Sequence, residues 1–225
     1  MRFGAIAPGE IVTILGLNIG PYKPTGHWID EGGKVANEVE GTRVRFGGVA
    51  APLLYVSATQ VDAVVPYEVA GSASVDIEVE FKGTFAIATG VPIAPSAPGI
   101  YTANGTGQGQ ARCLNQDGSA NSVENSAARG STIRLFGTGE GQTTPPGTTG
   151  EVIQDGVKRP ALPVSVKIGG IEAQVLEAGS TPGQVAGAFQ FDVVIPQGVA
   201  PGPAVPVVLA VGSARSQDGV TIAVK

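Results

Sequence analysis

The chain is poor in the residues that usually carry chemistry. It has one cysteine, one histidine and one tryptophan; aromatics make up 5% of it and charged residues 15%. A lone Cys113 excludes an intrachain disulfide. It leaves the compartment open, because exported β proteins do not all need disulfides. A protein zinc site needs several Cys or His ligands, so one of each excludes it. A Ser-His-Asp triad would have to use His27, and no Gly-x-Ser-x-Gly elbow supplies its serine. The formal charge is −5 and no Lys/Arg run occurs. Such a surface excludes the basic face that nucleic acid requires and does not adhere electrostatically to anionic membranes. No apolar run reaches the roughly 18 residues of a spanning helix, so no membrane insertion is expected. The opening Met1-Arg2-Phe3 runs straight into Gly4, Ala5 and Pro8 without a signal-peptide pattern, as expected of an internal fragment.

What is present is glycine (34), proline (17) and 42% hydrophobic residues in 225. That composition suits short strands joined by many turns, and the length suits one large β domain or two small ones. Val75, Ile77, Val79 and Phe81 alternate with Asp76, Glu78 and Glu80, the pattern of a half-buried antiparallel strand. Val205, Val207, Leu209 and Val211 do the same later in the chain. Lys82-Gly83 and Gly212-Ser213 are turns, and Gly47-Gly48 and Gly169-Gly170 are tight hairpins. Val64, Val194, Ile77 and Leu209 are predicted to be buried.

An internal repeat organises these strands. Ile11-Val12-Thr13-Ile14-Leu15-Gly16 returns as Thr132-Ile133-Arg134-Leu135-Phe136-Gly137. Val44-Arg45-Phe46-Gly47-Gly48-Val49 returns as Val166-Lys167-Ile168-Gly169-Gly170-Ile171, and Gln60-Val61-Asp62-Ala63-Val64-Val65-Pro66 as Gln190-Phe191-Asp192-Val193-Val194-Ile195-Pro196. The order is kept, at an offset of about 121 to 130. Each half therefore has the size of one β-sandwich. The expected division is a first sandwich over 1–94, a linker and β-hairpin over 95–128, and a second sandwich over 129–225. The Pro-rich Ala94-Pro95-Ser96-Ala97-Pro98-Gly99 is the joint. Asp117-Gly118 turns an extra hairpin, which is expected to pack between the units.

At this point the chain resembles a known family. The run from Gly41 to Val44, Val49-Ala50-Ala51-Pro52-Leu53-Leu54-Tyr55-Val56, Val64-Val65-Pro66-Tyr67, Ser96-Ala97-Pro98-Gly99-Ile100-Tyr101 and Leu114-Asn115-Gln116-Asp117-Gly118 are similar to the C-terminal domain of many large secreted acidobacterial proteins. The resemblance spans nearly the whole chain. It implies an all-β fold of two tandem immunoglobulin-like sandwiches of the IPT/TIG type, in a larger exported or cell-surface protein. It carries over no catalytic residues and no cofactor.

Candidate sites are few. Asn115, Asp117, Ser119 and Asn121 alternate with a spacing that suggests oxygen ligands for calcium, but the order of an EF-hand loop and its closing Glu are missing, and a turn explains them. The Gly-rich stretches at Gly105–Gln110 and Gly137–Gln142 lack the Lys-Ser/Thr pair of a phosphate loop. Asp62 and Asp192 occupy matching places and read as outward strand positions. No catalytic, metal or cofactor site is expected. The best binding candidate is the long Leu17–Thr42 loop, with Tyr22, His27 and Trp28, because exposed aromatics on loops form hot spots; Trp28 folding back as a cap is the rival reading. The expected function is a non-catalytic structural or interaction module for surface display, adhesion or assembly. Its partner would be a protein or a surface polymer. A carbohydrate-binding accessory domain and a fibre subunit that self-associates through edge strands are the alternatives.

Overall fold

Alternation along the chain becomes two antiparallel layers in each half. The computed structural model describes residues 4–225. The reading of Met1-Arg2-Phe3 as the start of an internal fragment lies outside them. In the first unit one sheet runs in the order Ile11–Leu15, Gln60–Val64, Leu53–Val56, Thr25–Gly26. The facing sheet runs Glu38–Val39, Thr42–Phe46, Ser74–Phe81, Thr84–Pro92, with Val49–Ala50 paired to Thr42–Phe46. Val44, Phe46, Leu53, Val61 and Val79 fill the space between. The acids alternating with Val75 and Val79 face outward as predicted, and Arg45 pairs there with Glu78 at 2.6 Å.

The second unit repeats this plan. Thr132–Thr138 pairs with Phe189–Val194, and Val164–Ile168 with Gly202–Val211. Ile171–Ser180 pairs with both Phe189–Val194 and Val164–Ile168, so it ties the two layers together. Its counterpart in the first unit is broken into Val49–Ala50 and Leu53–Val56. Pro52 sits at the break and has no N–H to give to a ladder. Gly47-Gly48 and Gly169-Gly170 all have positive φ and turn equivalent hairpins, Phe46 to Val49 and Ile168 to Ile171.

The repeat predicted from sequence is a repeat of structure. Ile11 sits opposite Val64 as Thr132 sits opposite Val194. Ile6 forms a parallel bridge to Ile93 as Ala127 does to Val224. Among the described residues the sole helical segment is one 3-10 turn, Tyr67–Val69. The molecule is thus two tandem immunoglobulin-like sandwiches.

Two burial expectations need correction. Val64 and Leu209 are buried, but Ile77 and Val194 are half-buried. On Phe189–Val194 the inward positions are Phe189, Phe191 and Val193, so Val194 points the other way. Val64, its counterpart, is buried for a different reason: it meets Val35 and Val185 where the two units touch.

The 95–128 stretch also differs from expectation. Gly99–Ile100 and Cys113–Leu114 both pair with Thr132–Thr138, and Gly109–Gln110 runs parallel to Val220–Val224. Ile100, Ala111 and Cys113 are buried in the second core. The hairpin therefore closes one side of the second sandwich instead of packing between the units. Burial pushes the Cys113 thiol up to about 12, which leaves it inert.

Candidate functional site

The Leu17–Thr42 loop is anchored at several points. Thr25–Gly26 joins the sheet beside Tyr55 and Val56, and the Trp28 carbonyl accepts the Ala36 N–H at 3.0 Å. Asp30 accepts the N–H groups of Gly32 and Lys34, at 2.8 and 3.0 Å. Val35, Ala36 and Val39 are buried beneath. On this base Tyr22 is 96% and Trp28 44% exposed, and His27 is exposed. All three sequence candidates thus lie on the surface of one loop, although no aromatic pair joins Tyr22 to Trp28 among the described residues. Part of the indole is covered, as a cap would be, and part is free.

The Asn115–Asn121 stretch is a knot of internal hydrogen bonds. Asp117 accepts from the Ser119 N–H and hydroxyl, and Ser119 thereby holds the Asp117 carboxyl below its usual range. Asn121 is buried; it donates to Asn115 and to the Ala223 carbonyl and accepts the Ala223 N–H. Asp117 Oδ1, Ser119 Oγ, Asn115 Oδ1 and Asn121 Oδ1 all take part in these bonds. Among the described residues no three His, Cys, Asp or Glu side chains are grouped as metal ligands. Asp62 accepts from Thr13 and Gln60, and Asp192 takes both bonds of an Arg134 fork at 2.7 Å. The Thr13 and Arg134 bonds cross between strands, and the Gln60 bond runs along one strand.

Sequence reasoning missed the junction. Tyr67 is buried with its ring against Gly9 of its own unit and Gly147 of the other, and a Cβ at either glycine would run into it. The Tyr67 N–H donates to Thr149 Oγ1 at 2.9 Å, and its carbonyl accepts from Gln142 at 3.0 Å. The Val35 N–H donates to the Gly150 carbonyl at 2.8 Å, and the Ile11 N–H to Thr138 Oγ1 at 2.8 Å. Tyr67 packs with Ile153 and Ala186, which closes the seam with apolar contact.

Two carboxyl groups lie near this seam, Glu10 half-buried and Glu140 buried. Burial raises Glu10 to about 7, although the Ala7 N–H works against it at 2.8 Å. Burial raises Glu140 to about 8, with its own N–H opposing and the Glu10 charge adding. Glu140 is 2% exposed, and its Oε2 has no hydrogen-bond partner. The signal that could have revealed it is the repeat itself, which puts an acid where the first unit has Ile19.

Residues 2–90 match the family described as the IPT/TIG domain. The match supports an IPT/TIG-type immunoglobulin-like domain for the first unit. IPT/TIG domains are generally non-catalytic interaction modules. No curated protein matches the chain. The second unit shares the strand plan of the first at equivalent registers.

Proposed function

We propose that this chain is a rigid, non-catalytic interaction module of a larger exported or cell-surface protein, serving surface display, adhesion or assembly. The observation that carries the reading is the seam. Tandem domains move against each other by default unless their interface is extensive and apolar. Here a buried tyrosine, two interlocking glycines and backbone-to-backbone bonding hold the IPT/TIG unit to its neighbour. A fixed angle is what a spacer or display element requires. On this reading the chain divides into 1–94, 95–128 and 129–225, with the middle stretch folded into the last.

The attachment surface is the loop bearing Tyr22, His27 and Trp28, and its partner is a protein or a surface polymer. Aromatic exposure on an anchored loop supports this, because little entropy is lost when the contact forms. The test is retention of the purified chain on isolated bacterial cell envelopes. Trp28→Ala and Tyr22→Ala should each weaken retention. Retention that is strong and indifferent to both substitutions would contradict the loop assignment.

A further inference from the structure

We propose that Glu10 and Glu140, one carboxyl from each unit, form a proton-operated catch on the seam: while they hold their protons the units are locked, and when they ionise the units part with both sandwiches still folded. The proposal rests on the rigid-module reading above and adds the condition under which the rigidity is released.

Placement carries it. Glu140 lies at the centre of a short strap that is bonded across the seam on both sides. Two residues before it, Thr138 Oγ1 accepts the Ile11 N–H at 2.8 Å and donates to the Gly187 carbonyl at 2.8 Å. Two residues after it, Gln142 donates to the Tyr67 carbonyl at 3.0 Å. Glu10 precedes Ile11 in the first unit. On its other side the Gly9 carbonyl packs so closely on Gly187 that a Cβ there would overlap it. The linker covers the strap as well. Gly139 and Gly141 sit against the Ala97 and Pro95 carbonyls with no room for a Cβ, and the Ala97 N–H donates to the Gly139 carbonyl at 2.9 Å. Glu140 is sealed within, its Oε2 without a hydrogen-bond partner among the described residues.

The groups acting on the pair are acidic or neutral. The Glu10 charge acts on Glu140, and Tyr101 feels both acids. Tyr67 feels Glu140 and Glu151. Burial, with these acids adding, holds both phenols above their usual range, although a Thr138 hydrogen bond and the Arg112 charge oppose it at Tyr101. Neither phenol therefore titrates where the carboxyls do. No cation among the described residues acts on either carboxyl. Arg112 lies over the Phe136 ring at 5.8 Å, and Lys158 is held by Glu151 and the Pro146 carbonyl.

A buried carboxylate without a counter-charge either keeps its proton or obliges the structure to bring it water. Lifting the strap from the first unit breaks the Thr138 and Gln142 bonds across the seam. It leaves intact the ladder of Thr132–Thr138 with Phe189–Val194, which unfolding the second sandwich would forfeit. Protons thus bind the closed arrangement more tightly than the open one, where the carboxyls return to their ordinary 4.5. Both folded-state values are raised, so the catch is closed in acid and released as pH rises through about 7 for Glu10 and about 8 for Glu140. At neutral pH Glu140 still holds its proton and the units stay locked.

The test is pulsed electron paramagnetic resonance between spin labels at Thr84→Cys and Ser213→Cys, one exposed site in each unit, from pH 5 to pH 9.5, with far-UV circular dichroism in parallel. One narrow distance is expected at pH 5 and pH 7. A broad second population should grow at least tenfold by pH 9.5, with the dichroism unchanged and the narrow distance restored on return to pH 5. Glu140→Gln, which cannot ionise, should keep the narrow distance at pH 9.5. Glu172→Gln, an exposed carboxyl elsewhere, should behave as the parent. A narrow distance at every pH overturns the catch and leaves the rigid reading standing. A broad distribution already at pH 5 overturns the rigid reading and the catch with it. Broadening that Glu140→Gln does not suppress, or that comes with loss of the dichroism signal, also overturns the catch.

Discussion

Glu140 stands where Ile19 stands in the repeat, and both are buried. The flanking backbone is the same: Asn18 and Gly139 both have positive φ, and Gly16 and Gly20 match Gly137 and Gly141. One unit thus places a hydrocarbon, and the other a carboxyl, at one position of one fold.

That substitution sets the pH dependence of stability. Below about pH 4.5, the usual carboxyl value, Glu10 and Glu140 are protonated in folded and unfolded chains alike. From 4.5 up to about 7 for Glu10 and about 8 for Glu140, the folded chain holds protons that the unfolded chain has released. Stability therefore falls with rising pH across that window, by up to about 1.4 kcal/mol per pH unit for each group. Asp117 acts in the opposite sense, adding stability that is lost as pH falls through the acid range. The thermal midpoint should be higher at pH 5 than at pH 8.5. Glu140→Gln should flatten the difference, and an unchanged slope would refute the assignment.

At the seam, Gly147→Ala puts a methyl into the Tyr67 ring without touching either core. Overpacking of this kind costs about 1–3 kcal/mol. Tyr67→Ala should cost about 3–5 kcal/mol, the scale for a buried aromatic. Denaturant melts followed by Trp28 fluorescence, which reports the first unit, and by far-UV circular dichroism, which reports both, should coincide in the parent chain. They should separate in Tyr67→Ala.

The two core strands give a graded test. Leu209→Ala should cost about 2–5 kcal/mol, since Leu209 is fully buried. Ile77→Ala should cost clearly less, because Ile77 is half-buried. Equal costs, measured by chemical denaturation, would mean that Ile77 is fully covered in solution.

Trp28, the sole tryptophan, is an internal probe. At 44% exposure its fluorescence should be red-shifted and open to iodide or acrylamide. Trp28→Ala should cost far less than the ~3–5 kcal/mol of a buried tryptophan. A blue-shifted, protected signal would make Trp28 a cap and remove it from the binding surface.

The strands and the repeat were legible because alternation and turn glycines are local signals. Val75 to Phe81 and Gly47-Gly48 needed no knowledge of the rest of the chain. The burial of Val64 was predicted, but its cause was not: it lies against Val185, which no local pattern connects to it. Ile77 was misjudged because alternation alone marks it as inward, while its side chain is half-buried. The place of the 95–128 stretch depended on pairing with Thr132–Thr138, a long-range choice invisible in the Asp117-Gly118 turn. Glu140 was hidden because an acid in a Gly-rich stretch reads as a surface loop.

The central claim is that the two units hold one fixed geometry, and a distance measurement between them tests it most directly. Spin labels at Thr84→Cys and Ser213→Cys sit on exposed, equivalent hairpins of the two units. The native Cys113 is buried and unreactive, so labelling is confined to these sites. Pulsed electron paramagnetic resonance should give a single narrow distance distribution, which Tyr67→Ala broadens. A broad or two-peaked distribution in the parent chain would contradict a rigid module.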